Sequence, residues 1–220
     1  MSPRTERRRG RTLERLLDLA VRRAAKGADR VAELRRERPG ITPAEAIAHL
    51  EKRYLARAAR LGGAVGAAAA WPGIGTVSAL GLTGAQSLAF LTSSAEHVMA
   101  VAAVHGIDVE DVERRRTLLL AALLGEDGAQ AVSGQLGLGT LYWARAALTR
   151  LPLGTVKAVN KMLARRLVQA GLTRAGALSV GRLTPFGVGA AVGYWGTRMM
   201  GRSVLEGTRE AFGPPPESFR

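Results

Sequence analysis

The longest stretch without a charged residue constrains this chain most. It spans Leu61–Ala95, 35 positions in a protein in which 23% of the residues are charged. A stretch of this length is typical either of the interior of a helical bundle or of a segment that enters a lipid bilayer. The turn-forming segment Trp71–Gly75 lies inside it. Because Pro72 lacks an amide hydrogen and disfavours helical geometry at the preceding residue, we expect two helices here rather than one.

The charge of the chain is unevenly distributed. Lysine and arginine number 32 against 18 acidic residues, which gives a net charge of +14. Residues 1–60 hold 17 basic and 8 acidic side chains, and residues 131–220 hold 12 and 3, whereas the region between them is neutral to acidic. Two basic ends attract polyanions such as anionic lipid, nucleic acid or acidic proteins. The absence of cysteine excludes disulfides, thiolate metal sites and cysteine nucleophiles.

Apolar residues recur every three or four positions along several segments, which indicates amphipathic helices. The first stripe spans Leu13–Leu34 and ends before Pro39. The segment Thr42–Glu45 reads Thr-Pro-Ala-Glu, a capping box with proline at the first helical position, and therefore predicts a helix start. The helix that begins here is expected to continue into the uncharged stretch, and a second helix is expected over Val77–Val104.

The second half of the chain carries further helical segments. Asp108–Glu113 is an acidic turn and helix start, and its carboxylates suit the positive end of a helix dipole. The apolar run Leu118–Leu124 follows, and residues 134–139 are expected to form a flexible loop. Helices are then expected over residues 154–170 and Pro185–Phe212.

No segment of useful length alternates as a strand does. The sequence therefore predicts an all-α fold, a multi-helix bundle with an Ala/Gly-rich central helical hairpin and a basic N-terminal helix. Residues 1–40 are expected to form a basic amphipathic arm and residues 41–213 a helical domain. Residues 214–220, which begin with three prolines, are expected to form a disordered tail.

Small residues recur four positions apart on the predicted hairpin and on the last helix. Gly62 and Gly66 lie on the first helix of the hairpin, Gly81 lies on the second, and Gly189 and Gly193 lie on the last helix. This spacing lets helix backbones approach closely. Small residues also fill tight contacts in soluble bundles, so the pattern predicts close packing without choosing between a bundle and a bilayer.

Length alone would allow Val77–Val104 to cross a bilayer, because about 20 apolar residues suffice. Its large apolar side chains would favour insertion by roughly 4 kcal/mol, whereas Glu96 would oppose it by about 2.5 kcal/mol. Gln86, His97 and several hydroxyl side chains add to the cost. Since these contributions nearly cancel, a hairpin that packs in a bundle or dips into one leaflet fits better than a simple span.

Two predicted helices carry basic residues opposite an apolar stripe, one near the N-terminus and one over residues 154–170. Such helices can lie in the headgroup region of anionic lipid. The alternative is that each stripe packs on the core and the charges are simply solvated. The predicted lipid contacts are Arg22, Arg23, Lys157, Lys161, Arg165 and Arg166.

No motif for catalysis is present, since the chain lacks both a GxxxxGK[ST] phosphate loop and a GxSxG element. His97 and His105 are eight positions apart on one predicted helix, too far to share a metal ion without other ligands. Glu96 is better explained as a buried carboxylate that pairs with an arginine of another helix, for instance Arg182. We therefore expect no catalytic residue, cofactor or metal. Nucleic-acid binding is disfavoured, because no recognition module is visible and only 5% of residues are aromatic.

The order of these features resembles the EcsC family of bacterial proteins over roughly residues 45–213. The resemblance rests on the Pro-Gly break within Leu61–Gly75, on His105–Val109 followed by Arg114–Leu124, and on the late glycine-rich segment Gly181–Trp195. The family usually has an aromatic residue at the first position of the second segment, where this chain has histidine. The pattern is also similar to the helical membrane-associated domain of the YcjF-like group. The resemblance implies a helical, bacterial, membrane-associated protein and no catalytic residues.

The first functional hypothesis is a non-enzymatic protein at the cytoplasmic face of the bacterial cell membrane, accessory to a membrane or transport system. It would contact anionic lipid and a protein partner or a second copy of itself. The alternative is a soluble helical bundle in the cytoplasm that binds another protein without touching lipid. An enzyme with a site around Glu96 and His97 is a third hypothesis. No signal peptide is visible in the charged first 38 residues, so we expect the N-terminus to stay in the cytoplasm.

Overall fold

A computed structural model of the chain describes residues 3–24, 26–69, 76–135, 142–144, 151–178 and 188–219. Eight helices of ten residues or more lie in these ranges, which contain no strand. The prediction of an all-α bundle is confirmed. In chain order the helices are α1 (Pro3–Arg23), α2 (Lys26–Glu37), α3 (Pro43–Ala69), α4 (Thr76–Val104), α5 (Val112–Leu124), α6 (Glu126–Gln135), α7 (Leu153–Leu178) and α8 (Val188–Phe212).

Local sequence signals set the helix ends. The capping box at the start of α3 forms as predicted: the Thr42 N–H donates to Glu45 Oε2 at 2.9 Å, and the Glu45 N–H donates to Thr42 Oγ1 at 3.3 Å. Asp111 caps α5 by accepting a 2.9 Å hydrogen bond from the N–H of Arg114. Gly125, with φ of +64°, ends α5 in a left-handed conformation that favours glycine, and α6 begins at the next residue.

The N-terminal region is two helices instead of the single helix predicted over residues 13–34. Helix α1 ends at Arg23 and α2 begins at Lys26, and the turn brings Gly27 so close to α4 that a β-carbon there would lie 2.6 Å from the Glu96 carbonyl oxygen. Helix α1 packs on α4 and α5, whereas α2 packs on α4.

This N-terminal region belongs to the same bundle as the rest of the chain. Leu17 and Val21 of α1 are buried in the main core together with residues of α5, α7 and α8. The apolar stripe of the basic N-terminal helix expected within residues 1–40 is therefore part of the main core. Helix α5 lies at the centre of that core, and residues 117–124 are all buried. A helix that is apolar on all sides is expected to be enclosed by its neighbours.

Helices α3 and α4 form the predicted Ala/Gly-rich hairpin. Ala46 and Leu50 near the start of α3 share an apolar cluster with Ala100 and Val104 near the end of α4. The two helices are therefore antiparallel. The predicted turn Trp71–Gly75 lies outside the described residues, as do residues 136–139 of the predicted loop and residues 185–187 of the last predicted helix.

The C-terminal segment packs against α2. The guanidinium carbon of Arg35 lies 4.5 Å from the centre of the Phe219 ring, and the same ring contacts the apolar cluster that contains Val31 and Leu34. The sequence predicts a disordered tail over residues 214–220 because of its prolines. That prediction overlooked Phe219, which places its ring at the edge of an apolar cluster.

Candidate functional site

The small-residue faces of α3 and α8 meet each other. Gly62 and Gly193 are so close that a β-carbon on either would overlap the carbonyl oxygen of the other, and a β-carbon on Gly193 would also lie 3.5 Å from the Cα of Gly66. These three glycines, which the sequence analysis selected for close packing, are thus brought together by the fold. Gly81 lies in α4 and Gly189 in α8, but their packing is outside the described contacts.

The register of this helix pair places uncharged residues at one end of the bundle. Gly201 of α8 lies against Ala58 of α3, and Arg209 makes a two-pronged ion pair with Glu51 at 2.8 and 2.5 Å. Helices α3 and α8 are therefore antiparallel, as α3 and α4 are. The end of the bundle formed by residues 61–69, 76–89 and 188–197 contains no charged residue. We call these three segments the uncharged end.

Large apolar side chains project into solvent beside the uncharged end. Trp195 is 60% exposed and Met199 is 66% exposed, and they lie one turn apart on the outer face of α8. Tyr194 and Met200 are exposed as well. An apolar surface of this kind is typical of a site that contacts another protein or a membrane. Small exposed residues complete the surface, namely Ala64, Ala67, Gly84, Ala85 and Ala191.

Arginines border the uncharged end. Arg60 is exposed on α3 directly before the uncharged segment, and Arg198 and Arg202 follow it on α8. Since Gly62 packs against Thr197 and Ala58 against Gly201, Arg60 and Arg198 lie at about the same height along the helix pair. The boundary between apolar and basic surface is therefore shared by both helices.

Glu96 is a buried carboxylate held by two arginines of other helices. Its Oε2 atom lies 2.6 Å from Arg30 of α2 and 3.5 Å from Arg57 of α3. The kind of pairing expected from the sequence is present, but with these partners, and Arg182 lies outside the described residues. The pKa of Arg57 is lowered, first by partial burial and then by the neighbouring Arg30, while Glu96 acts in the opposite direction.

His97 is adjacent to Glu96 in sequence but faces a different part of the core. Its ring stacks on that of Tyr54 with a centroid distance of 4.9 Å, and Tyr54 Oη makes a 2.8 Å hydrogen bond with Ser94 Oγ. Burial lowers the pKa of His97 to about 3. Glu96 and His97 thus have different partners, an ion pair for Glu96 and a stacked ring for His97. Within the described ranges, no group of three or more His, Asp or Glu side chains is arranged to hold a metal ion.

The basic residues predicted to contact lipid are exposed, but their helices use their apolar stripes for the core. Val156, Val159 and Leu163 of α7 are buried, as is the stripe of α1 that contains Leu17 and Val21. In the described parts of both helices, the apolar stripe is therefore already used for packing within the bundle. The exposed basic residues are Arg22, Arg23, Lys157, Lys161, Arg165 and Arg166.

One helix in the described part of the chain is long and apolar enough to cross a membrane, namely Gly84–Val104 of α4. Two thirds of its most apolar window (67%) is buried inside the bundle. The same length and composition occur in the central helix of a soluble bundle, so this helix is weak support for a membrane span.

Arg30 and Arg57 were not predicted as partners of Glu96, although part of the signal was readable in the sequence. Arg53, Arg57 and Arg60 are spaced by four and three positions, which places them on one face of a helix. The turn between α1 and α2 brings Arg30 to the same face, and sequence spacing cannot reveal that step.

No known family model matches this chain, and neither curated proteins nor solved structures show a significant match to it.

Proposed function

We propose that this chain is a non-enzymatic, membrane-associated helical bundle whose uncharged end dips into one leaflet at the cytoplasmic face of a bacterial membrane. The observation that carries the proposal is the exposed apolar surface around Trp195 and Met199, which lies beside three described helix segments without a charged residue and is bordered by arginines. Charged side chains are the costliest groups to bring into hydrocarbon, and the three described segments of the uncharged end have none.

Two of the three segments of the uncharged end have the length of a single leaflet. Its α3 segment has nine residues and its α8 segment has ten, so each rises about 13–15 Å. Half of the hydrocarbon core of a bilayer is about 15 Å thick.

The residues at the boundary match the chemistry of a membrane interface. Tryptophan and tyrosine are enriched at the level of lipid headgroups, and arginine interacts there with phosphate groups. Tyr194 and Trp195 lie next to Arg198, whose guanidinium donates to the Tyr194 hydroxyl at 3.4 Å. Arg60 lies at the same height on the neighbouring helix. The resemblance to EcsC proteins supports the same location, and a role as an accessory to a membrane or transport system through lipid and protein contacts.

Vesicle flotation tests the proposal. The double variant Trp195→Ser/Met199→Ser removes the two most exposed apolar side chains, and Val112→Ser/Leu153→Ser removes two exposed apolar side chains elsewhere on the surface. We expect the first variant to bind vesicles at least about tenfold more weakly, a change of about 1.4 kcal/mol, and the second to bind like the wild type. A wild-type protein that stays unbound at every lipid concentration would contradict the proposal and favour the soluble protein-binding bundle.

A further inference from the structure

We propose that Arg30, Arg53, Arg57 and Arg60 form a binding site for the phosphate group of an anionic lipid. These four residues are called the basic cluster below. The inference rests on the proposed membrane association. It assigns recognition of the headgroup to the α2–α3 face, not to the basic faces of α1 and α7.

The basic cluster is assembled from two helices. Arg53, Arg57 and Arg60 form one stripe of α3, and Arg30 reaches the same place from α2 because it pairs with Glu96 beside Arg57. Arg53 and Arg60 are exposed, and Arg30 and Arg57 are about 40% exposed at their side chains (37% and 42%). Donors from both helices are therefore accessible from solvent on one surface.

The described ion pairs balance the charges of the basic cluster only in part. Among the described ion pairs, Glu96 is the carboxylate that pairs with members of the basic cluster. It pairs with Arg30 and Arg57 through the same oxygen atom, Oε2. The 3.5 Å contact to Arg57 is longer than a charge-assisted hydrogen bond of about 2.8 Å. Partial burial, and after it the like-charged neighbours Arg30, Arg53 and Arg60, also lower the pKa of Arg57. A bound phosphate would relieve this repulsion, and guanidinium forks match its oxygens.

The position of the basic cluster agrees with a lipid as the source of that phosphate. The α3 stripe continues from Arg60 to Ala64 and Ala67, which are exposed and belong to the uncharged end. Arg60 is thus at the boundary of the surface proposed to enter the leaflet, and Arg57 and Arg53 lie about one and two turns further from it. A headgroup phosphate would sit at this depth while its acyl chains lie beside the uncharged end.

The test compares Arg53→Gln/Arg60→Gln with Arg165→Gln/Arg166→Gln. Both variants lose two exposed arginines that make no ion pair with a described carboxylate, and the second pair lies on α7. Binding is measured to phosphatidylcholine vesicles with and without phosphatidylglycerol. Phosphatidylglycerol should increase the affinity of the wild type for vesicles. We expect this increase to be at least about tenfold smaller in the first variant and less than about threefold smaller in the second. Equal losses would overturn the site, because only net charge would then matter.

Two further measurements separate the outcomes. Arg57→Lys keeps the charge but removes the two-pronged guanidinium group. The site is supported if this variant binds neutral vesicles like the wild type while the increase in affinity caused by phosphatidylglycerol is at least about tenfold smaller. Inorganic phosphate is titrated into the full chain while the melting temperature is followed. A phosphate-dependent rise without any preference for anionic vesicles would overturn the lipid as the source. If the wild type fails to bind neutral vesicles, the proposed function fails. If the variants of the basic cluster bind neutral vesicles like the wild type but keep its full preference for anionic vesicles, only the basic cluster is overturned.

Discussion

Gly62 of α3 and Gly193 of α8 are in backbone contact, with no room for a β-carbon on either residue. This contact sets the height of α8 along α3 and thereby brings the uncharged segments of both helices to the same end of the bundle. It also turns Trp195 and Met199 outward, since they lie on the opposite side of α8 from Gly193 and are exposed. The small residues thus serve helix packing directly, and the exposed apolar surface is its consequence.

The glycine contact predicts different effects for two alanine substitutions on the same helix. Gly193→Ala should lower the free energy of unfolding by about 1–3 kcal/mol, because the new methyl group meets the backbone of α3. Gly196→Ala should leave it unchanged or raise it by up to about 1 kcal/mol, because a β-carbon there meets nothing within 4 Å and alanine favours a helix. Urea unfolding followed by circular dichroism measures both, and equal effects would contradict the close contact.

The buried carboxylate predicts an energetic coupling between α2 and α4. Glu96→Gln should lower the free energy of unfolding by about 1–2 kcal/mol, a discounted value because Arg30 and Arg57 keep access to water. Glu33→Gln, at an exposed position of α2, is the matched control and should have little effect. A double-mutant cycle of Glu96→Gln with Arg30→Met isolates the pair. A coupling energy below about 0.5 kcal/mol would rule out the ion pair in solution.

The buried imidazole predicts a loss of stability in mild acid. The pKa of His97 is about 3 in the folded protein, whereas an unfolded histidine has a pKa of about 6.5. The unfolded chain therefore binds more protons between these values, so stability is full above pH 6.5 and falls as the pH decreases toward 3. Between pH 7 and pH 5 this one group should account for about 2 kcal/mol.

His97→Phe tests that assignment because it keeps a ring against Tyr54. Its free energy of unfolding should change less between pH 7 and pH 5 than that of the wild type, by the same amount of about 2 kcal/mol. His49→Gln should retain most of the wild-type pH dependence, because His49 is much less buried. If His97→Phe and the wild type show parallel curves, His97 is not the titrating group.

A polar network between α5 and α7 predicts a further cost in stability. The buried Asn160 donates to the carbonyl oxygen and the carboxylate of Glu113 at 2.9 and 2.8 Å, and it accepts from Thr117 at 2.8 Å. Asn160→Ala leaves these groups without that partner and should lower the free energy of unfolding by about 1–3 kcal/mol. Lys161→Ala, the next residue and an exposed one, should change it by less than about 0.5 kcal/mol. Similar losses in both would contradict the network.

Signals that act within a few residues were readable from the sequence. The capping box of Thr42 and Glu45, the acidic start of α5 and the end of the hairpin helix at Val104 agree with the structure, because each depends on hydrogen bonds or periodicity inside one segment. The exposed faces of α1 and α7 were also readable. Whether their apolar stripes meet the core or lipid was not readable, because both outcomes require the same stripe.

Features that depend on two distant segments could not be predicted. The turn between α1 and α2 follows from the approach of Gly27 to the backbone of α4, and the partners of Glu96 follow from that turn. Phe219 packs on α2 although the prolines before it suggested disorder. The lipid-facing role of the uncharged end is likewise a property of three helices together, and it stays a proposal.

The central claim is that the uncharged end enters one leaflet, and site-directed spin labelling tests it most directly. The chain has no cysteine, so a single introduced cysteine carries the only label. Ala67→Cys is exposed at the uncharged end of α3, and Ala48→Cys is exposed about 28 Å away on the same helix. With vesicles present, the label at position 67 should gain access to oxygen dissolved in hydrocarbon and lose access to an aqueous nickel reagent, while the label at position 48 stays in water. Equal water access at both positions in vesicle-bound protein would contradict the account.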